Sequence, residues 1–357
     1  MDTRIHLDNH TLTRPLRSVV EKMLPFFREP WLKSDKADEQ ILRALGAEEN
    51  AFHFFSSGAE AIYQVLYSYT RDFLPETGQN HILSTVIEEP CFLESLMRLE
   101  KEGLKVKLLP VNAQGQITKE MLAEAIRPRT GLVSLSWANR LTGVIHPIAD
   151  LAEACKEKGI VLHVDASCVL GKLYFRLEDL PIDFVTFEGS LIHAPSGTGG
   201  LVAQRKQLTP VIAGQSDRND AGMAAVAQAL DEGIRGCDHL CLETARLRNK
   251  LEEGIQQALP DAVVFFHQVD RLPNCTAIGF PGVIGEALLY LLHRKGIYAT
   301  CQNLAPVLIA SGIDPLLAES AVSFSLSYET SDREIDKAIT EIVSCVERLR
   351  SYSKELI

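Results

Sequence analysis

Residues 183–200 read DFVTFEGSLIHAPSGTGG. Asp183 to Phe187 is rich in aromatic and β-branched residues, the composition of a strand. Its apolar side chains (Phe184, Val185, Phe187) fall on both alternating faces, so neither face can look into water. A polar turn, Glu188-Gly189-Ser190, follows, and Pro195-Ser-Gly-Thr-Gly-Gly200 is too rich in Pro and Gly to be helical. A second apolar run, GGLVAQR (199–205), then begins. A strand buried on both sides that ends in a polar, glycine-rich loop is a unit of an open α/β sheet, where ligands bind at the carboxyl ends of the strands.

Working outward, HFF (53–55), HILSTVI (81–87), VKLLPV (106–111), GLVSLSW (131–137) and GIVLHVD (159–165) read as further strands. CFLESLMRLEKEG (91–103), KEMLAEAIR (119–127) and IADLAEACKEKG (148–159) read as helices between them, two running into the glycine expected just past a helix end. Beyond residue 225 the alternation stops. A helical stretch over about 224–258, interrupted at Gly233 and Gly236, leads into VVFFHQV, TAIGF and helices at 284–294 and 332–352. The expected fold is α/β: a mostly parallel central sheet in a large domain over residues 15–245, a smaller α+β domain over 246–357, and an amino-terminal segment, 1–14, packed near the cleft.

The chain has 357 residues, 46% apolar and 23% charged, with a mean hydropathy near zero, enough to fill a large core. Its net charge of −11 is spread along the sequence and gives no footing for nucleic acid or an anionic membrane as partner. No apolar run approaches the roughly 20 residues of a membrane span, and MDTRIHLDNH lacks the apolar segment of a signal peptide, so a cytoplasmic protein is expected. Eight cysteines (91, 155, 168, 237, 241, 275, 301, 345) form no close-set framework and read as mostly buried thiols. Cys237 and Cys241 share a helix face, but a structural zinc site needs four ligands, and no metal is expected.

Function has to be sought at the strand ends. FFSSGAEAIYQVLYS (54–68) is a strand, the turn Ser56-Ser57-Gly58-Ala59, and a helix whose free N–H groups and dipole suit a phosphate. Glu60, in the first helical turn, opposes an anion there by about 4 kcal/mol per pair of unit charges at about 4 Å and an effective dielectric of about 20. A phosphate cradle and an ordinary helix start are both open readings. GIVLHVDASCVLGK (159–172) ends a buried strand on Asp165, a carboxylate that needs a cofactor nitrogen, a cation or a backbone N–H as partner. SLSWANRLTG (134–143) places Asn139 and Arg140 at a third strand end, and the fourth is the turn before Leu191.

Together these signatures resemble the cysteine desulfurases of the class V aminotransferase family, whose architecture is the fold type I of enzymes using pyridoxal 5′-phosphate (PLP). LDNHTLTRP (7–15), HILSTVIEEP (81–90), LEKEGLKVKLLPVNAQGQI (99–117), AIRPRTGLVSLSWAN (125–139), PIADLAEACKEKGIVLHVDAS (147–167), PSGTGGL (195–201) and VSFSLSYETSDREID (322–336) carry the likeness along nearly the whole chain. It implies a homodimer acting in sulfur metabolism and iron–sulfur cluster assembly, and it implies which positions carry the chemistry.

At most of those positions this sequence departs. The lysine that forms the Schiff base with PLP corresponds to Leu191, and the nearest lysines, Lys172 and Lys206, belong to other motifs, so no residue is expected to replace it. The histidine that stacks on the cofactor ring corresponds to Glu89, and the glutamine that bonds the ring hydroxyl to Cys168. The phosphate ligands correspond to Glu188, Ser190 and Glu60, beside Ser57 and Gly58, and the Arg-Ser-Gly-Thr segment that helps bind phosphate across the dimer is missing from AGQSDRNDAGMAA (213–225). The substrate arginine corresponds to Ser323, and Cys301, in the contracted GIYATCQN (296–303), stands as the candidate remnant of the persulfide cysteine. Asp165 and Asn139 are retained.

The resemblance, with these departures, leads to the expectation of a relative that has lost PLP binding and desulfurase activity, with no cofactor and no catalytic residues. It would act as a homodimeric binding or regulatory module whose partner is a sulfur-carrier protein or an active desulfurase. Two alternatives stand beside it. One is a PLP-dependent desulfurase or aminotransferase working without the usual lysine. The other is a metal or cationic-ligand site in an acidic cleft where Glu60, Glu89, Glu188 and Asp165 converge, with His10, His163, His193, Arg140 and Arg218 nearby. Uncompensated carboxylates would be costly there, so Arg140 and Arg218 are expected to fill the phosphate space and pair with the glutamates.

Overall fold

The computed structural model describes residues 4–204, 208–212 and 218–355. After a short strand β1 (Ile5–His6), seven strands build the central sheet: β2 (Ala51–Phe55), β3 (His81–Thr85), β4 (Lys105–Leu109), β5 (Thr130–Ser136), β6 (Val161–Asp165), β7 (Phe184–Glu188) and β8 (Gly199–Ala203). Their spatial order is β2-β8-β7-β6-β5-β3-β4, parallel from β7 to β4, with β8 antiparallel to both its neighbours.

The two-sided apolar runs have the expected cause. Leu83, Val133, Val185 and Val202 point into one core, beneath the helices Ile148–Lys158 and Asp220–Arg235. Their neighbours Ile82, Leu132, Phe184 and Leu201 point into the other, beneath the helices Gly58–Ser68 and Pro90–Lys101. Successive side chains of a strand face opposite ways, so each strand feeds both cores.

A smaller antiparallel sheet follows, ordered β12-β10-β9: β9 (Val263–Val264), β10 (Cys275–Gly279) and β12 (Ala321–Ser325). The helices Cys237–Ala258, Gly285–Arg294 and Asp332–Glu355 contribute Leu251, Leu288 and Ile342 to its core. Strand β11 (Ile297–Tyr298) pairs in parallel with β1. The amino-terminal segment runs from there along the cleft: Asn9 Nδ2 donates to the Ser325 carbonyl at 2.8 Å, and Thr13 N and Oγ1 donate to the Ser190 carbonyl at 2.9 and 2.7 Å. Among the described residues no helix is long and apolar enough to cross a membrane.

Two sequence expectations change here. VVFFHQV is a strand only at Val263–Val264, because the chain turns at Phe266, whose φ is 54°. The helical stretch breaks at Gly236 but runs through Gly233. Gly233 serves as a contact: a Cβ built on Gly171 would come within 3.3 Å of its Cα, so two bare backbones meet there.

Gly199 is required for a similar reason. It opens β8 opposite Glu188, and a Cβ on it would lie 2.4 Å from the carbonyl carbon of Ser57. Gly199→Ala is therefore expected to destabilise the fold by about 1–3 kcal/mol, read as an earlier midpoint in chemical denaturation with unchanged slope.

Candidate functional site at the strand ends

The register sets Ser136 beside Asp165 and Asp165 beside Thr186, so the carboxyl ends of β5, β6 and β7 present polar residues side by side. Asp165 Oδ1 accepts from Ser167 Oγ at 2.8 Å and from Thr186 Oγ1 at 3.0 Å. Burial pushes its carboxyl up to about 7, with the Glu89 charge adding to the rise. Below it His163 lies between Thr186 Oγ1 (Nε2, 2.9 Å) and Ser134 Oγ (Nδ1, 2.7 Å), its ring held neutral by burial that lowers it to about 3. His163 is thus a core residue beneath the cleft.

A second buried acid is Glu88, which sequence reasoning passed over. It is 6% exposed and ties the end of β3 to the end of β5: Thr85 Oγ1 donates to Oε1 at 2.6 Å, and Ser136 N and Oγ donate to Oε2 at 3.0 and 2.5 Å. Burial raises it to about 7. The only signal in the sequence was a doubled carboxylate after an apolar strand, Ile87-Glu88-Glu89.

Each of the four carboxylates expected at the cleft is held by donors close to it. Ser57 caps the helix Gly58–Ser68, accepting from Glu60 N at 3.1 Å, while Glu60 Oε2 reaches back to Ser56 N and Oγ at 2.9 and 2.5 Å. This is close to a capping box, the ordinary helix start among the two open readings. Glu188 takes the position of an anion at that helix: Gly58 N–H donates to Oε2 at 2.7 Å, and Ser190 N and Oγ donate to Oε1 at 3.3 and 3.0 Å. Glu89 accepts from Arg140 Nε at 2.5 Å, and Arg140 Nη1 donates to the His10 carbonyl at 3.4 Å.

The pairing expected of Arg140 is present, whereas that of Arg218 is not. Arg218 bonds the Ser34 carbonyl and lies 3.2 Å from Asp220 and 3.6 Å from Asp38, whose carboxylates draw it to the start of another helix. His193, at a φ of 66°, faces the Arg14 carbonyl and the Tyr328 ring instead of the cleft. Asn139 is 5% exposed, and its amide is occupied by the Ile87 carbonyl and by Leu141 and Thr142. Ser323 Oγ is bonded to the Leu141 carbonyl, and half-buried Cys301 packs against the core of the small sheet, its thiol raised by burial. Cys237 and Cys241 bring their sulfurs to 3.7 Å, as their spacing implies. Lys206 and residues 213–217 lie outside the described residues.

Leu191 is 8% exposed, and its carbonyl receives a hydrogen bond from Lys172 Nζ at 3.2 Å. A lysine assigned by sequence to another motif thus arrives beside Leu191, the residue expected to correspond to the family's lysine. Cys168, its thiol pushed up to about 12 by burial, lines the same small cavity with His10 and Arg140.

Over residues 28–337 the chain matches the family described as aminotransferase class-V. A cysteine desulfurase of Nostoc sp. is 31% identical over 98% of this chain and 94% of its own length. The cysteine desulfurase NifS of Azotobacter vinelandii is 31% identical over the same shares. Among solved structures a NifS-like protein superposes with a TM-score of 0.90 at 28% identity, covering 96% of this chain and 99% of its own. The expected α/β fold with its mostly parallel sheet is borne out by that match. The expectation of no cofactor is overturned, because likeness to cysteine desulfurases, a PLP-dependent family, points to PLP as the group such a site holds. The residues present meet that group unevenly. Asp165 would offer it a carboxyl, while the helix N–H that suits its phosphate is already engaged by Glu188.

Proposed function

This chain belongs to the aminotransferase class-V family, and on that premise we propose that it is a cysteine desulfurase-like protein that no longer releases sulfur from cysteine. It serves as a homodimeric binding or regulatory module of sulfur transfer, and its partner is a sulfur-carrier protein or an active desulfurase. When bound, PLP supplies an electron-withdrawing ring for bond breaking at the α-carbon of an amino acid.

The observation that carries the reading is the buried Leu191, which has neither a nucleophile nor a base to offer. Three further features support it. Glu89 is held by Arg140 and lacks the ring of a stacking residue. Ser323, buried and bonded to a carbonyl, brings no cation to a substrate carboxylate. The Cys301 thiol is raised by burial and by the charge of Glu286, which lowers its thiolate fraction.

The test is sulfide release from L-cysteine by the purified chain supplied with PLP and a thiol reductant. The expected result is a rate equal to that of the no-protein control. Sulfide formation proportional to protein concentration would sink the reading. Light scattering on the same sample reports whether the chain is a dimer.

A further inference from the structure

Gly233 and Gly236 put bare backbone at the end of the helix Asp220–Arg235, Gly236 as its cap, and the chain passes there into the helix Cys237–Ala258. Facing this break are the turn after β7, with His193, and the segment Ser327–Thr330 that follows β12. Together they line a cavity of about 220 Å³, room for about seven waters at about 30 Å³ each. It shares no lining residue with the small cavity beside Leu191. Its rim meets solvent: Gly236, His239 and Glu243 are exposed, and Tyr328 is 41% exposed.

The lining is one-sided in charge and in hydrogen bonding, and it carries no lysine or arginine. Glu243 is compensated, since Arg246 donates to its two oxygens at 3.0 and 2.6 Å. Half-buried Glu232 is not: the one hydrogen bond described for its carboxylate comes from Gln228 Nε2, at 2.6 Å, and no ion pair is described for it. His193 Nδ1 lies 2.9 Å from the Arg14 carbonyl, and a carbonyl only accepts, so Nδ1 carries the ring's proton. Burial lowers the ring to about 4 and keeps it neutral, so Nε2 presents a lone pair for which no donor is described. Leu16, Leu240 and the Tyr328 ring, set edge to face against His193 at 4.7 Å, supply apolar walls.

A lone pair and an uncompensated carboxylate beside apolar walls call for a ligand that donates hydrogen bonds, carries positive charge and has an apolar body. We propose that this cavity binds a small primary amine in its protonated form. The ammonium donates to Glu232 and to His193 Nε2, and the apolar body packs against Leu16, Leu240 and Tyr328. Because His193 N donates to Thr13 Oγ1 and its Nδ1 to the Arg14 carbonyl, a ligand held on His193 also steadies the amino-terminal segment that lies along the cleft. The inference goes beyond the function proposed above and does not rest on it.

The full chain is titrated in a calorimeter at neutral pH with 2-phenylethylamine, and in parallel with 2-phenylethanol, which has the same body and no charge. The expected result is one amine site per chain, half-saturated below about 1 mM, with the alcohol at least about tenfold weaker. Glu232→Gln keeps the size of a half-buried side chain, so its melting temperature should match that of the parent. It should weaken the amine at least about tenfold and leave the alcohol nearly unchanged. A titration that does not saturate, equal affinities for amine and alcohol, or undiminished amine binding by Glu232→Gln would overturn the proposal. Amine binding that survives Glu232→Gln and is lost in Glu89→Gln would place the ligand in the cleft at the strand ends and overturn it as well. Sulfide release, by contrast, would overturn the function proposed above and leave the amine site standing.

Discussion

Asp165→Asn is expected to stabilise the folded chain above about pH 7 and to leave its stability nearly unchanged below about pH 4. Burial raises the Asp165 carboxyl from 3.8 to about 7, so the folded chain binds a proton there that the unfolded chain has already released. Stability from this group is therefore fully present below the unfolded value and is lost as pH rises through the window up to about 7. A shift of that size corresponds to about 4 kcal/mol, and an observed gain of about 2–4 kcal/mol at pH 8 would accord with it. Asparagine suits the place because the described hydrogen bonds both fall on Oδ1, leaving the other position for the NH2 group. The parent curve alone would mislead, since His163 and His146, held near 3 and 4, lose stability as pH falls below their usual 6.5 and slope the opposite way. The difference between parent and variant in denaturant melts at low and high pH isolates Asp165. An equal shift at both pH values would show that its charge is not the cause.

Glu188→Ser should strengthen PLP binding at least about tenfold and leave pyridoxal binding nearly unchanged. The Glu188 carboxylate holds the Gly58 N–H and both donors of Ser190, the groups at the helix start best placed for a phosphate. It also opposes a phosphate by up to about 4 kcal/mol per pair of unit charges at about 4 Å, a figure reduced by salt where the site meets solvent. A tenfold gain uses only about 1.4 kcal/mol of this. Absorbance titrations at fixed ionic strength read both ligands. Equal gains for PLP and pyridoxal would mean that Glu188 acts by filling space, with its charge immaterial.

Much of the fold was legible because strand and helix leave different periods in the sequence. Runs such as Leu132 to Leu135, apolar but for Ser134, announced strands buried on both faces, and each feeds two cores through alternate residues. The boundaries that failed did so for tertiary reasons. Gly233 looks like a helix breaker until its contact with Gly171 is seen, and Phe265-Phe266 looks like strand until the left-handed turn appears.

The candidate site was legible as a set of positions and illegible as a set of contacts. Leu191, Glu188 and Asp165 stand on adjacent turns and strand ends as their flanking motifs implied. What each carboxylate bonds depends on donors a few ångströms away that no periodicity encodes, so Glu60 turned to Ser56 and Arg218 to Asp220. Lys172 was overlooked for the same reason: 19 residues separate it from Leu191 in the chain, and only the packing of a turn against a helix brings Nζ to that carbonyl.

The amino-terminal segment has a consequence for motion. It is bonded at one place to the small sheet, through Asn9 and Ser325, and at another to the turn after β7, through Thr13 and Ser190. A hinge that swung the two sheets apart would have to stretch a strap fixed at both ends. Each hydrogen bond contributes only about 0.5–1.5 kcal/mol, but they would have to break together, so opening is cooperative. Any such opening would belong to the slower scale of collective domain movements and not to that of single side chains.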